Sequence, residues 1–237
     1  MEDNNEEIDF NVLKGRKNPK EDKDLSLLAT QKKLIIILEH ANLEVTSNKK
    51  QPELISSDDH NLLIKKMQKS YEDYRPDVTH QCLLHLLDSP LNKAGLLQVF
   101  ISTKENVLIE VNPKTKIPRS YKRFCGLMAQ LLTKLRIRAA NSSEILLKVI
   151  KNPITDHLPL GCPIIATNEK SKLVNLDEYV ESLNKGVSIA FVIGAMSKGD
   201  LNIDYNNDTV SICSYPLTAG IVCSKICTSF EKAWDVL

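Results

Sequence analysis

The chain has 237 residues, 42% of them hydrophobic and 26% charged, with a formal net charge of +1. That balance suits a globular protein with a real core and offers no whole-chain attraction for a polyanion, so any nucleic-acid footprint must be local. No apolar run reaches membrane-span length and no secretory signal opens the chain; the six cysteines contain no CxxC pair, so they read as free thiols of an intracellular, reducing compartment.

Residues 1–30 are polar and heavily charged, with Glu2, Asp3, Glu6 and Glu7 followed by a mixed run from Lys14 to Asp24. They read as a disordered charged tail, in which Lys14, Arg16, Lys17 and Lys20 form either a nuclear-import or RNA-tethering patch or a plain solvated stretch. Order is expected from residue 31 onward as one domain. Leu34-Ile35-Ile36-Ile37-Leu38 is wholly apolar, the pattern of a strand covered on both faces and hence parallel. Ser57 or Asp58 is expected to cap a helix running to about Ser70, with Leu62, Leu63 and Met67 as its stripe.

A helical pattern from Val78 to Leu87 comes after Tyr74-Arg75-Pro76-Asp77. Asp77 is placed either to cap that helix or to hold the Arg75 guanidinium in a fixed pose. His80, Cys82 and His85 do not share one helix face, which argues against a metal site and against a metal-dependent hydrolase built on them. Leu97–Thr103 and Val107–Val111 read as a hairpin around Lys104-Glu105-Asn106.

From Lys114 to Arg138 the chain carries eight positive charges and no acid. Lys114, Lys116, Arg119, Lys122, Arg123, Lys134, Arg136 and Arg138 together suggest a surface for a polyanion. Ser120 is expected to cap a helix to Leu135, with Phe124, Leu127, Met128, Leu131 and Leu132 on its core side. Arg119 and Arg123, one turn apart, are expected to project together. Leu146–Ile150 is another strand. Short elements are expected at Ile164–Thr167 and Leu173–Leu176, then a small helix from Asp177 to Leu183.

The most informative stretch is 188–220. An apolar strand, Ser188–Ile193, ends in Gly194 and a loop with Lys198, Gly199 and Asp200. A second short strand, Val210–Ile212, leads through Ser214-Tyr215-Pro216 into a final helix presenting Val222, Ile226, Phe230, Ala233 and Leu237. A glycine after a strand allows close backbone approach to a ligand, and open α/β sheets bind ligands at strand carboxyl ends. The eight glycines never form GxGxxG or a Walker loop, so a nucleotide-like cofactor here needs neither a Rossmann nor a P-loop fold.

Several of these segments resemble one known family. Arg75-Pro76-Asp77, THQCLLHLLDSPLNKAG (79–95), IEVNP (109–113), IPRSYKRFCGLMAQLL (117–132), LLKVIKNPITDHLP (146–159), FVIGAM (191–196) and SYPLTA (214–219) are similar to the Nep family. Its members are pseudouridine-N1 methyltransferases of small-subunit ribosomal RNA, of the SPOUT class. The resemblance implies an α/β domain with a parallel sheet, a family-specific β-rich extension and a carboxyl-terminal deep trefoil knot over about 146–237. It implies a homodimer and S-adenosylmethionine as cofactor, without metal or membrane.

Carried onto this sequence, cofactor contacts fall on Thr167, Gly194, Gly199, Asp200, Leu201, Ile212, Cys213, Ser214, Tyr215, Pro216 and Leu217. RNA contacts fall on Arg75, Lys116, Arg119 and Arg123, with Asp77 orienting Arg75. Lys116 stands where the family commonly has arginine, which keeps the charge and loses the bidentate fork. The implied setting is the nucleolus or nucleus, with pre-ribosomal assembly factors as partners. The alternative is an RNA-binding assembly factor whose scaffold role outweighs or replaces catalysis.

Overall fold

The computed structural model describes residues 32–46, 52–140, 142–183 and 186–236. The charged tail, its basic patch and Leu237 therefore lie outside the described residues. The central strand is β1 (Leu34–Ala41). Its five leading apolar residues leave neither face suited to water, and each is at most 3% exposed. Full burial of each such side chain contributes roughly 1.5–3 kcal/mol before chain entropy is counted.

Two further strands flank β1 as parallel neighbours. These are β4 (Leu97–Thr103) and β9 (Ile189–Gly194), with Ile36 level with Val99 on one side and Phe191 on the other. Beyond β9 the parallel set continues through β8 (Ile164–Leu173) to the edge strand β10 (Asp208–Ser211). Beyond β4 the sheet turns antiparallel, through β5 (Leu108–Val111), β7 (Ile145–Ile150) and β6 (Arg136–Arg138). The order of the eight strands is thus β10-β8-β9-β1-β4-β5-β7-β6. A separate short ladder pairs β2 (Val45–Thr46) with β3 (Glu53–Leu54).

The helices are α1 (Asn61–Lys66), α2 (Pro76–Asp88), α3 (Pro90–Lys93), α4 (Tyr121–Lys134), α5 (Leu176–Ser182) and α6 (Ala219–Ala233). Leu83 and Leu86 of α2, Phe124 and Met128 of α4, and Ile226 and Phe230 of α6 join Ile36, Leu38, Val99 and Phe191 in the main core. Phe230 meets Phe191 edge-on at 5.8 Å between centroids. The opposite sheet face, with Ile35, Ile37, Phe100 and Val192, is covered by irregular chain carrying Ile154, Leu158, Leu201, Ile203 and Tyr205. Both faces of β1 are covered as its sequence requires, but long helices supply only one of the covers.

The first difference from the sequence reading is α1, which starts at Asn61 rather than at Ser57 or Asp58. Ser56 accepts the Asp58 amide at 3.2 Å, a local turn that competes with helix, and His60 takes the cap position. Gln68, at φ 55°, ends the helical path before Ser70. The second is β8, which is one strand where two short elements were expected. Its register against β10 jumps from Thr209↔Ala166 to Val210↔Lys172, so residues 167–171 bulge out of the ladder. The polar run Thr167-Asn168-Glu169-Lys170 reads as a break because it is that bulge. The small helix expected at Asp177–Leu183 is α5, one residue earlier at each end, with Asn175 as its cap accepting the Asp177 amide at 3.2 Å. The third is β6, too short for any alternation to show. Leu135, at φ 62°, turns the chain out of α4 into it.

All six cysteines are free. Cys82 and Cys223 are both fully buried in the core that α2 and α6 share, and burial pushes the Cys223 thiol well up.

Candidate active site

The carboxyl ends of β9 and β10 and the bulge in β8 lie together, and a cleft of about 810 Å³ opens there. Four pieces of chain wall it: the β8 bulge at Thr167, Asn168 and Glu169; the loop from Gly194 to Leu201; the segment after β10; and the start of α2. Of the sequence-derived cofactor residues, Thr167, Gly194, Gly199, Asp200, Leu201, Ile212, Cys213, Tyr215, Pro216 and Leu217 line this cleft. Ser214 is exposed and is not part of the lining.

Backbone geometry explains the glycines. Gly199 sits at φ 109°, where an L side chain is strained. Gly194 has ordinary extended backbone, and a Cβ there would stand 3.1 Å from Met196 Cε. Its openness is thus shared with the flexible tip of a side chain from the same loop.

Charge pairs hold the loop after β9. Lys170 on the β8 bulge donates to both Asp200 carboxylate oxygens, at 2.9 and 2.8 Å, and the Asp200 hydrogen bond raises the Lys170 pKa. On the other side Ser197 donates to the Glu72 carbonyl and Lys198 pairs with the Glu72 carboxylate. Thr167 Oγ1 donates to the Val192 carbonyl at 3.1 Å, tying the bulge to β9.

Arg75 and Asp77 enter the same cleft from α2. Pro76 occupies the first helical position, which places Arg75 at the cap. Asp77 makes no capping bond. Its two oxygens instead accept from Arg75 Nε at 2.8 Å and an Arg75 terminal nitrogen at 2.7 Å, a fork that fixes the guanidinium plane. These hydrogen bonds, with the carboxylate charge behind them, raise the Arg75 pKa.

The other cations expected to meet RNA lie elsewhere. A groove of about 700 Å³ runs between α2, α6 and residues 115–119, and Lys93, Lys116 and Arg119 line it. Arg119 is 89% exposed on its side chain and stands 3.9 Å from Asp88. Arg123 is exposed on α4 and lines neither cavity. Arg119 and Arg123 therefore do not line a common cavity. Arg119 precedes the cap residue Ser120, so helical spacing does not govern it. The basic segment also has counter-charges from outside itself, with Lys114 on Glu144 at 2.9 Å as well as Arg119 near Asp88.

His80, Cys82 and His85 have separate roles. His80 is buried, stacks on Phe124 at 4.5 Å and donates from Nε2 to the Pro118 carbonyl at 2.7 Å. Cys82 meets Cys223, and His85 packs beside Gly220. Among the described residues no group of three or more His, Cys, Asp or Glu side chains could hold a metal ion. No described helix is long and apolar enough to cross a membrane.

Sequence reasoning missed Lys170, Glu72, Ser197 and Met196 at the cleft. The Lys170–Asp200 partners are 30 residues apart and the Lys198–Glu72 partners 126 apart, so nothing local announces either pair.

A family model described as EMG1/NEP1 methyltransferase matches residues 36–231. The chain is 51% identical over 226 residues to "Ribosomal RNA small subunit methyltransferase NEP1" of Drosophila melanogaster, covering 92% of this chain and 89% of that protein. The Homo sapiens protein of the same name is 48% identical over 206 residues, covering 87% and 84% respectively. Among solved structures, that of Archaeoglobus fulgidus Nep1 bound to S-adenosylhomocysteine superposes with a TM-score of 0.71 at 25% identity, over 86% of this chain and 100% of that one.

Proposed function

The chain belongs to the EMG1/NEP1 methyltransferase family, and we propose that it methylates N1 of a pseudouridine in small-subunit ribosomal RNA, with S-adenosylmethionine as donor. The observation that carries this reading is the cleft at the carboxyl ends of β9 and β10 and the β8 bulge, walled by loop chain and by the Arg75–Asp77 fork. Its residues fit such a donor. The volume suits a nucleoside-sized ligand, and the left-handed turn at Gly199 with the open face of Gly194 exposes backbone amides and carbonyls to it. The names of the relatives and the ligand of the archaeal structure agree with that fit.

When bound, the donor supplies an electrophilic methyl carbon, which passes to a ring nitrogen as the carbon–sulfur bond breaks and sulfur keeps the electron pair. The protein's contribution is then mostly placement. The loops after β9 and β10, with Thr167, hold the donor; the Lys170–Asp200 and Lys198–Glu72 pairs keep the first loop in position. Arg75, held in plane by Asp77, offsets negative charge on the base as N1 loses its proton. Asp77 accepts from Arg75 through both oxygens, so its role is to orient that cation. The base reaches the site unstacked from a loop or bulge, because its N1 edge must face the cleft.

Lys116, Arg119 and Arg123 hold phosphates at some distance from the chemistry, which sets register and affinity. A homodimer, the carboxyl-terminal trefoil knot and a nucleolar place among pre-ribosomal assembly factors belong to the same reading. The test uses purified protein, labelled donor and two RNA hairpins that differ only in pseudouridine against uridine. Label should enter the pseudouridine hairpin alone. Equal labelling of both rejects the specificity, and labelling of neither leaves the scaffold role as the better account.

A further inference from the structure

One buried acid takes no part in the chemistry described above. Along β1, Leu34, Ile36 and Leu38 face the helices while Ile35 and Ile37 face the irregular cover, and strand alternation puts Glu39 in the second row. A carboxylate thus stands where that row calls for an apolar side chain, and Glu39 is 8% exposed. Burying a carboxylate is costly unless hydrogen bonds compensate it, and an aliphatic side chain would cover the sheet without that cost. Ser102 of β4 donates to one Glu39 oxygen and Tyr205 to the other, each at 2.6 Å. Both donors are neutral hydroxyls at the short distance of charge-assisted bonds, and among the described residues no cation pairs with this acid.

Glu39 touches the loop that walls the cleft at both of that loop's ends. Its backbone is level with Gly194 in the β1–β9 ladder, and its carbonyl accepts the Ala195 amide at 2.7 Å, just where β9 stops. Its side chain holds Tyr205, near the far end. Residues 195–207 join β9 to β10 with neither helix nor strand, and long connections of that kind in compact domains tend to be functional. In the first half, Gly199, Asp200 and Leu201 line the cleft; in the second, Ile203 and Tyr205 pack with Leu201 on the sheet face of Ile35 and Ile37. Asn207 then docks on Ile164, amide to carbonyl at 2.7 Å and side-chain oxygen to amide at 2.8 Å. From there β10 leads directly to Ile212–Leu217 chain at the cleft's other wall. Burial, and then the bond to Glu39, raises the Tyr205 pKa, so its hydroxyl keeps the proton that it donates.

We infer that Glu39 is a positioning residue for the methyl donor, clamping the β9–β10 connection at both ends, with its carbonyl on Ala195 and its carboxylate on Tyr205. The inference rests on the reading that the cleft takes the donor. Glu39 lines no part of the cleft, so it acts through the loop. With the clamp closed, the Gly199 turn is in place before the donor arrives. With it open, the loop populates other arrangements, and the apparent affinity falls with the fraction of molecules still competent to bind. The bound donor itself holds the loop, so the chemical step in the loaded complex does not depend on the clamp.

The experiment measures calorimetric affinity for S-adenosylmethionine, donor KM and kcat on the pseudouridine hairpin, and amide hydrogen exchange of residues 195–207. Tyr205→Phe keeps the ring and removes only the hydroxyl. It should weaken donor binding about tenfold, the low end for a hydrogen bond to a charged group. Donor KM should rise by a similar factor with kcat unchanged. Exchange in 195–207 should quicken without donor and return to the wild-type rate at saturating donor. Glu39→Met keeps the side-chain length, removes both acceptors and should act in the same way; adding Tyr205→Phe to it should change little more, because both remove one bond. Ser102→Ala removes the other bond to the same carboxylate without touching the loop, and should leave donor affinity near that of wild type. The inference is overturned by wild-type affinity in Tyr205→Phe, by a fall in kcat at unchanged donor KM, by additive losses in the double variant, or by an equal loss in Ser102→Ala. Should wild type bind no donor, the reading of the cleft fails and the link to affinity falls with it, while the exchange contrast still decides whether Tyr205 and Glu39 hold the loop.

Discussion

The main cleft and the α2–α6 groove are similar in volume and opposite in construction. In the cleft, position comes from backbone: strand ends, a left-handed turn at Gly199, and loops clasped by Lys170–Asp200 and Lys198–Glu72. In the groove, the cations stand on long exposed side chains, and Lys93 and Arg119 stand 3.5 and 3.9 Å from the exposed Asp88 carboxylate. A site that must place one carbon against one nitrogen needs fixed geometry. A surface that holds a polyanion needs charge at the right range, and that attraction is screened by salt. The two regions therefore differ in what breaks them: shape in the cleft, charge in the groove.

The largest expected effect is steric. Gly194 has ordinary backbone angles, so a side chain is conformationally allowed and its bulk enters the cleft. Gly194→Trp should reduce methyl transfer to background while the melting temperature holds. Gly194→Ala should retain most activity, since the Met196 tip can move aside. A fully active Gly194→Trp would show that the cleft does not hold the donor.

Next comes Arg75→Ala, which removes a cation from the cleft wall and leaves Asp77 as an unpaired carboxylate. Single-turnover methylation should slow by about 10²–10³, the scale for removing one stabilising donor. Donor affinity should stay within a few-fold, and a variant with normal chemistry but weak RNA binding would move Arg75 into the same class as the groove cations.

The groove should respond differently. Lys116→Ala with Arg119→Ala should weaken RNA binding more at low salt than at high salt. The slope of log affinity against log salt should shrink by about 0.7–0.9 for each phosphate no longer neutralised. Donor affinity should be unchanged, and an unaltered salt slope would remove the groove from the RNA surface.

The smallest effect concerns the groove's floor. Burial pushes the Cys227 thiol from 9.0 up to about 12. A raised folded pKa means the thiol stays neutral in the native state while the unfolded chain ionises above pH 9. Stability from this group is therefore full below 9 and falls as pH rises from 9 toward 12. Near pH 10 the loss is about 1.4 kcal/mol, and denaturant melts of Cys227→Ala should show a shallower alkaline decline than wild type. Parallel declines would place the titration elsewhere.

The elements that sequence made plain are those whose burial is continuous. Leu34–Leu38 and the strand ending at Gly194 are apolar on both faces, and α2, α4 and α6 keep an apolar stripe at helical spacing. The hairpin at Lys104-Glu105-Asn106 was equally legible from its polar turn. The hidden features depend on distance along the chain. The 167–171 bulge exists only because β10 pairs with both of its flanks, and the clasps on the Gly199 loop join residues far apart in sequence. The choice between Asp77 as a cap and Asp77 as a clamp was open until geometry placed both its oxygens on Arg75.

The most direct test is a calorimetric titration of S-adenosylmethionine into the full chain without RNA. A donor site in the cleft predicts saturable binding at one site per chain, abolished in Gly194→Trp and retained in Lys116→Ala with Arg119→Ala. Absence of binding by the folded wild type, or binding that survives Gly194→Trp, would contradict it.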